Sequence, residues 1–309
     1  MQARTPEGLT SAAYGMRSLI DFRSPSGYDF YKNISRWRQR EEEMKLFISS
    51  DIEGTCGICN WDETRMQHPE FYNSFADQMT REVAAACRAA EDSGIVDDIF
   101  IKDAHGSARN LRLKDLPRSV RLLRGWDQRP CKMMAGVEEC DAAAMTGYHS
   151  SAFSIGNPLS HTNNLRNQWV KLNGEYASEF MINAFAAAYY GKPVIFVSGD
   201  EALCEQARSI VPGITAVPVV QGRGAGSLSI HPDVAVERIY DGMKKALQGD
   251  AGKCLITLPK HFECEIQFKE IGDAAIGSFY PGVIRTDAKT VSFESSDYYE
   301  VLRFMFFVL

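Results

Sequence analysis

The chain has 309 residues, of which 45% are hydrophobic and 24% charged, a composition typical of a globular protein with a buried core. Its formal net charge of -6, without a block of Lys or Arg, argues against nucleic acid as the main partner. No apolar run reaches the length of a membrane span, and the eight cysteines are scattered, so we expect no membrane partner and a cytoplasmic protein with reduced thiols.

The first 43 residues differ in composition from the rest. They contain Pro6, Pro25 and a cluster of charged residues at 36–43, and no helical or strand period runs through them. We predict that 1–43 form a weakly ordered N-terminal extension. The organised region then begins at Met44, a candidate start of the protein.

From residue 44 onward, strand-like and helix-like runs alternate. Apolar runs predict strands at 46–50, 99–102, 120–123, 142–146, 168–172, 194–197 and 216–220. Amphipathic or apolar periods predict helices at 76–93, 177–190, 201–210 and 232–247. Strand-like runs follow at 253–258, 262–268 and 290–293, before a last helix that Asp297 caps. This order predicts an α/β fold, with a mainly parallel sheet flanked by helices and a second strand-rich α/β subdomain.

Two carboxylates stand at the end of the first predicted strand. Asp51 and Glu53 are two residues apart, so extended backbone points both the same way. Open α/β sheets bind ligands at the carboxyl ends of their strands. Two acids there repel each other unless a cation or a shared proton compensates. The competing interpretation is an Asp that caps a turn beside a surface Glu.

Similar polar residues follow later strands. His105 and His149 each follow a predicted strand, and Glu179 lies in the first turn of a helix. Imidazole and carboxylate suit Zn²⁺ or a similar divalent ion. Five ligands exceed the three that a catalytic zinc usually takes from protein, and they fit a two-metal site with a bridging carboxylate. Singly, each residue has an ordinary alternative, such as a hydrogen-bonded loop His or a Glu that favours a helix N-terminus.

Five short stretches together resemble the zinc D-aminopeptidases encoded with dipeptide transport systems. They are Ser50-Asp51-Ile-Glu53-Gly54, Asp103-Ala-His105, Gly147-Tyr-His149, Ser160-His161 and Glu179-x-x-x-Asn183-Ala184. Their order and approximate spacing follow the family, and the resemblance covers 44–309. The stretch between His149 and His161 is one residue longer than the family pattern leads us to expect, which leaves the metal ligands untouched but would reshape the pocket.

The resemblance implies a two-zinc amide hydrolase that acts on short peptides, notably those with D-residues, with two Zn²⁺ per subunit. Asp51 matches the bridging ligand, and His161 matches the catalytic histidine. The remaining ligands match Glu53, His105, His149 and Glu179. Asp103 is either a partner that orients an imidazole or a turn residue. The family also implies a ring-shaped homo-oligomer, a decamer, that encloses its active sites.

These inferences divide the chain into the extension at 1–43, a metal-binding α/β domain at 44–205 and a C-terminal α/β subdomain at 206–309. Two other functions stay open: another bimetallic amidase or esterase with a non-peptide substrate, and a ring-forming protein that binds peptides without turnover. A titrating His161 beside the metals favours catalysis over binding alone. Only a panel of substrates separates the two kinds of hydrolase.

Two further motifs point to other chemistry on weaker grounds. Cys56-x-x-Cys59 has redox or zinc spacing, but no second pair accompanies it, so we interpret it as lining beside the carboxylates. The glycines at 222–226 follow a strand but lack the third glycine and the later acid of a dinucleotide site. We predict a loop there.

Overall fold

The computed structural model describes residues 44–309, so the predicted N-terminal extension lies outside the described residues. The strands are β1 Lys45–Ser50, β2 Asp98–Asp103, β3 Val120–Leu123, β4 Ala142–Tyr148, β5 Asn167–Leu172, β6 Glu175–Tyr176, β7 Val194–Asp200, β8 Thr215–Arg223, β9 Gly226–Ser229, β10 Phe262–Phe268, β11 Ile284–Arg285 and β12 Thr290–Ser295. The helices are α1 Pro69–Ser93, α2 Glu179–Tyr189, α3 Glu201–Ile210, α4 Pro232–Gln248, α5 Ile271–Gly277 and α6 Tyr298–Val308. Within 44–309, no helix is both long enough and apolar enough to cross a membrane.

The larger sheet has seven strands in the order β3-β2-β1-β4-β7-β8-β9. All neighbours are parallel except β8 and β9. The first strand, third in this order, is an interior strand: Leu46 and Ile48 are fully buried, and both its edges are paired. In register, Ser50 at the end of β1 lies opposite Asp103 of β2 and Thr146 of β4. The chain after these three strands therefore emerges at one point, where ligand sites of α/β sheets form.

A second sheet of five strands, in the order β11-β12-β10-β5-β6, is antiparallel throughout. Its β10 is buried on alternate residues, as a half-covered antiparallel strand should be. Helix α6, which follows β12 of this sheet, contacts α2: the Tyr298 hydroxyl donates to the Ile182 carbonyl over 2.9 Å. The predicted fold class, a mainly parallel sheet with helices plus a second strand-rich part, is confirmed.

One predicted strand is wrong, and the predicted domain boundary does not separate the sheets. Residues 253–258 form no strand; the chain makes a short 3₁₀ turn at Ala251–Cys254, because the Asp250 side chain accepts from the Gly252 amide over 3.0 Å. Strands on both sides of residue 205 contribute to each sheet: β8 and β9 belong to the large one, and β5 belongs to the small one. The last helix does begin after Asp297, whose side chain caps it by accepting from the Tyr299 amide.

Helix α1 buries one carboxyl group away from the strand ends. Glu82 is 1% exposed, and its Oε1 accepts from the Cys56 amide and from Gln78 Nε2, each over 3.0 Å. Its Oε2 has no hydrogen-bond partner among residues 44–309. Burial raises the pKa of Glu82 to about 7. Because the folded pKa exceeds the unfolded value near 4.5, the stability that the neutral acid contributes is present below pH 4.5 and is lost as pH rises towards 7.

We expect Glu82→Gln to stabilise the protein at pH 8 and to have less effect at pH 5. The amide keeps the shape and the acceptor oxygen, and it removes a buried charge whose cost is about 3 kcal/mol at 1.36 kcal/mol per pKa unit. Urea unfolding of variant and wild type at both pH values measures the difference. Glu70→Gln, on the exposed first turn of α1, is the control. An identical effect of Glu82→Gln at both pH values would contradict the expectation.

Candidate metal centre

The chain segments at the ends of β1 and β4 lie closer together than any residue with a Cβ atom at Gly54 or Gly147 would allow. The Asp51 amide donates to the Thr146 carbonyl over 2.9 Å, and the Gly54 amide donates to the Gly147 carbonyl over 2.8 Å. A Cβ at Gly54 would collide with the Tyr148 carbonyl, and a Cβ at Gly147, where φ is +67°, would collide with the Asp51 carbonyl. Two glycines therefore bring the carboxylates that follow β1 against the histidine that follows β4.

The loop after β2 presents His105, and Asp103 holds that loop closed. The Asp103 carboxylate accepts from the side-chain amide of Asn110 over 2.7 Å and from the Leu111 amide over 2.8 Å. His105 itself is oriented by Thr64, whose carbonyl lies 2.9 Å from the ring Nε2. Of the two interpretations open for Asp103, the structure supports the turn residue, since no contact joins its carboxylate to a described imidazole.

His149 and Glu179 are fixed by other parts of the chain. The ring Nδ1 of His149 lies 2.9 Å from the Ser150 carbonyl, and Asp200 holds Ser150 by accepting from its amide and its hydroxyl. Glu179 is the first residue of α2, and its Oε1 accepts from the Asn163 amide over 2.7 Å. Asn163 has a φ of +62°, a strained conformation of the kind that clusters at functional sites.

All six residues singled out from the sequence meet in one place. His105 Nδ1 lies 2.8 Å from Glu53 Oε2 and 3.3 Å from Asp51 Oδ1. His149 Nε2 lies 3.5 Å from Asp51 Oδ2 and 3.6 Å from Glu179 Oε1. His161 Nε2 lies 3.6 Å from the same Glu179 oxygen. Asp51 is thus central, with one carboxylate oxygen towards each of two histidines.

The hydrogen bonds of the three imidazoles indicate which nitrogen carries the proton. In each ring, one nitrogen lies within 3.0 Å of a backbone carbonyl, which can only accept: Thr64 for His105, Ser150 for His149 and Leu159 for His161. The other nitrogen of a neutral ring then has a lone pair directed at the carboxylates. Lone pairs facing carboxylate oxygens repel unless a cation lies between them, and a carbonyl behind the ring is the usual support of a metal-binding histidine.

The distances around His149 also fit an ion better than hydrogen bonds. The separations of 3.5 and 3.6 Å around His149 are too long for hydrogen bonds. Two ligand atoms on one tetrahedral zinc, each about 2.0–2.1 Å from the ion, lie about 3.3–3.4 Å apart. His149 Nε2 is buried without a hydrogen-bond partner among residues 44–309. The residues present therefore fit a divalent metal ion with oxygen and nitrogen ligands.

The pKa of His161 shifts in the opposite direction from the pKa values of His105 and His149. Burial lowers the pKa of His149, but the charge of Glu179 outweighs it and raises the value to about 10. Burial also lowers the pKa of His105, and the charge of Glu53 again leaves it well above its ordinary value. For His161, burial and the neighbouring His149 hold the pKa below the ordinary value. The carboxylates thus attract positive charge to His105 and His149, while His161 stays neutral.

A cavity of about 520 Å³ opens over the cluster. His161 forms part of its wall, stacked on His149 with ring centroids 4.3 Å apart and in edge contact with Trp61 at 5.2 Å. Sequence reasoning missed the rest of the wall. It includes Trp61, Thr64, Arg65, Trp126, Lys132, Asn163 and Phe306. These residues come from loops and from the last helix, and no short pattern marks them.

Neither Cys56-x-x-Cys59 nor the glycines at 222–226 contribute a residue to the cluster. All eight cysteines are free thiols, and burial raises the pKa of Cys56 to about 12, which makes it a poor nucleophile. Of the glycines at 222–226, Gly222 lies in β8, Gly226 begins β9, and Gly224, with a φ of +63°, lies in the turn between them. The predicted loop is confirmed there as a hairpin.

A profile of the peptidase family M55, described as D-aminopeptidase, matches residues 44–307. The chain belongs to the M55 D-aminopeptidase family. A D-aminopeptidase of Bacillus subtilis (strain 168) is 28% identical over 266 residues, which are 85% of this chain and 95% of that protein. The solved structure of DppA from Bacillus subtilis, a Zn-dependent D-aminopeptidase and self-compartmentalizing protease, superposes with a TM-score of 0.80 at 26% identity, over 86% of this chain and 96% of that one.

Membership of the M55 family covers the whole described region apart from its last two residues. The resemblance inferred from the five stretches is therefore confirmed. All six site residues fall within 44–205, the region predicted to bind the metal. The role of each residue in the cluster stays a prediction, since the M55 match identifies the family and not the individual ligands.

Proposed function

We propose that the protein is a zinc-dependent aminopeptidase that hydrolyses short peptides, including peptides of D-amino acids. The observation that carries the proposal is the set of buried imidazole lone pairs and carboxylate oxygens that face one another at the ends of β1, β2 and β4. Membership of the M55 family and the activity named for its Bacillus relatives support it. No observation favours an esterase or a binding protein over this function.

We assign five residues as ligands of two zinc ions. Asp51 would hold both ions, because its two oxygens face different histidines. Glu53 and His105 form one pair, and His149 and Glu179 form the other. Zinc bound there would polarise the scissile carbonyl and make water a stronger nucleophile near neutral pH. The backbone carbonyls behind the rings accept from the outer nitrogens and so aim the ligating nitrogens inward.

His161 moves the proton in this mechanism. Its Nδ1 donates to the Leu159 carbonyl over 3.0 Å, so its Nε2 is free to accept a proton from the attacking water. Its depressed pKa keeps that nitrogen unprotonated at neutral pH. The same Nε2 then returns the proton to the departing amine of the substrate. Stacking on His149 and the edge of Trp61 hold the ring in place during both transfers.

Elemental analysis paired with a substrate panel tests the function. We expect about two zinc ions per chain, loss of activity on chelation and recovery with Zn²⁺. D-Ala-D-Ala should be cleaved faster than L-Ala-L-Ala and than an alanine ester. A metal-free, fully active protein would refute the zinc mechanism. Cleavage of the ester alone would replace the peptidase with an esterase.

We also propose a homo-oligomeric ring, a decamer, whose subunits enclose the cavities, in a reducing cytoplasmic compartment. Exposed apolar side chains support an association surface: Ile155, Phe279, Ile276, Phe307 and Ile284 are each 65–93% exposed. The relative DppA is described as self-compartmentalizing. Eight free thiols support the compartment. Light scattering of the purified protein measures the assembly, and a monomeric mass would reject the ring.

A further inference from the structure

We propose that Lys132 binds the C-terminal carboxylate of the peptide substrate, so that the enzyme selects short peptides with a free carboxylate. The inference rests on the proposed peptidase function and names the part of the substrate that its cavity recognises. Lys132 lines the same cavity as Asp51, His105, His161 and Glu179. A cavity of about 520 Å³ is within the range of sites for small ligands.

The backbone that carries Lys132 is held firmly beside the cluster. Lys132 begins a short 3₁₀ turn at Lys132–Met134. The Met133 carbonyl accepts from the Ser49 hydroxyl of β1 over 2.8 Å, and the Met133 sulfur accepts from the Asn183 side chain of α2 over 3.2 Å. The turn is therefore anchored to the strand and to the helix that present Asp51 and Glu179. A rigid support of this kind suits a binding residue.

Among residues 44–309, the ammonium group of Lys132 makes no hydrogen bond or close ion pair. Its Nζ lies 5.5 Å from the centroid of the Phe306 ring, and the charge of Glu179 acts on it from beyond ion-pair distance. The buried Lys102 is different, because its Nζ donates to the carbonyls of Asp103 and Gly125. A half-buried, unpaired ammonium in a ligand cavity is a site for an anion.

The charge of the cavity favours a carboxylate at this position. Among the described residues that line it, the acidic ones are Asp51, Glu53 and Glu179; all three are assigned as zinc ligands, so bound zinc would take up the Glu179 charge that otherwise attracts Lys132. Two zinc ions would more than balance these three charges. In a dipeptide, the carboxylate belongs to the residue next to the scissile bond, within about 3.8 Å per residue of chain. Lys132 shares a cavity of this size with the metal ligands, so a dipeptide is long enough to place its scissile bond at the metals and its carboxylate at Lys132.

Arg65 is the other cation on the cavity wall, and its setting differs. It is exposed, and its guanidinium lies 5.5 Å from the centroid of the Trp61 ring. An exposed cation contributes little to binding, because water and salt screen it. Arg65 therefore serves as a matched control for the removal of one positive charge from the same cavity.

The test compares D-Ala-D-Ala with its C-terminal amide as substrates of the zinc-loaded enzyme. Lys132→Met keeps the length of the side chain and removes its charge. We expect kcat/KM for the free acid to fall about 10- to 100-fold, mainly through KM, as for loss of a hydrogen bond to a charged group. The amide should change less than about threefold. Lys132→Arg should restore preference for the acid, and Arg65→Met should affect both substrates alike.

An equal loss on both substrates would overturn the proposal and make Lys132 a residue of general catalytic or structural importance. Unchanged kinetics of Lys132→Met on the free acid would overturn it too. Failure of the proposed function looks different, since wild type would then cleave neither peptide. The two peptides would be inert ligands in that case, and calorimetric titration of wild type and Lys132→Met would still decide the question. Equal affinity of wild type for acid and amide would reject Lys132 as the carboxylate site.

Discussion

Asp51→Ala is expected to lose both zinc ions, whereas His105→Ala loses mainly one. The reason is the position of the Asp51 carboxylate, which has Oδ1 3.3 Å from His105 Nδ1 and Oδ2 3.5 Å from His149 Nε2. A ligand shared by two ions holds both, so its removal weakens both sites together. Elemental analysis after dialysis should find about two metals per chain in wild type, about one in His105→Ala and almost none in Asp51→Ala. Activity should be lost with the metal.

A second substitution separates metal loss from local unfolding. Asp51 Oδ1 also accepts from the Ile52 amide over 2.8 Å, and alanine removes that bond. Asp51→Asn keeps an oxygen for the amide and removes the negative charge, so it should keep the fold and still lose most of the metal. Circular dichroism of both variants monitors the fold. Two metals per chain in a folded Asp51→Ala protein would reject Asp51 as the bridging ligand.

His161→Ala is expected to keep its metals and to lose activity by about 10²-fold or more, the scale of a general acid–base group. Its Nε2 is the unprotonated nitrogen on the cavity side, and it lies 3.6 Å from Glu179 Oε1. His161→Gln preserves more of the ring's volume beside Trp61 and should be equally inactive. The half-exposed His68, outside the cavity, gives the control His68→Ala, which should have normal kinetics. Steady-state kinetics and metal analysis on the same preparations measure both effects.

The alternative outcome is that His161 is a metal ligand. The possible ligand atoms of His149, His161 and Glu179 lie within 4.8 Å of one another, so they could hold one ion between them. Loss of metal together with activity in His161→Ala would make His161 a ligand and would change the set of five. Near-normal turnover with full metal content would remove His161 from the mechanism. Only inactivity with retained metal agrees with proton transfer at Nε2.

Local signals in the sequence were enough for much of the fold. Strand β1 was predictable because its apolar run is followed by two carboxylates and Gly54. Helix α3 was predictable because its apolar residues recur at helical spacing up to its last turn. The strand predicted at 253–258 was wrong because Leu255, Ile256 and Leu258 are only half-buried and pair with no other described strand. Strands β6 and β11 have two residues each, too few for any period to appear.

By itself, the sequence determined which residue types the site contains and where each one lies relative to a strand end. This follows because strand and helix periods are local, and parallel strands deliver their carboxyl ends to one edge. Only the tertiary structure decided how those residues meet. The order β2-β1-β4 places Asp51 between His105 and His149. The Thr64 carbonyl, far from His105 in sequence, orients the His105 ring. A turn anchored to β1 brings Lys132 to the cavity. Both contacts depend on packing between elements, which no local pattern encodes.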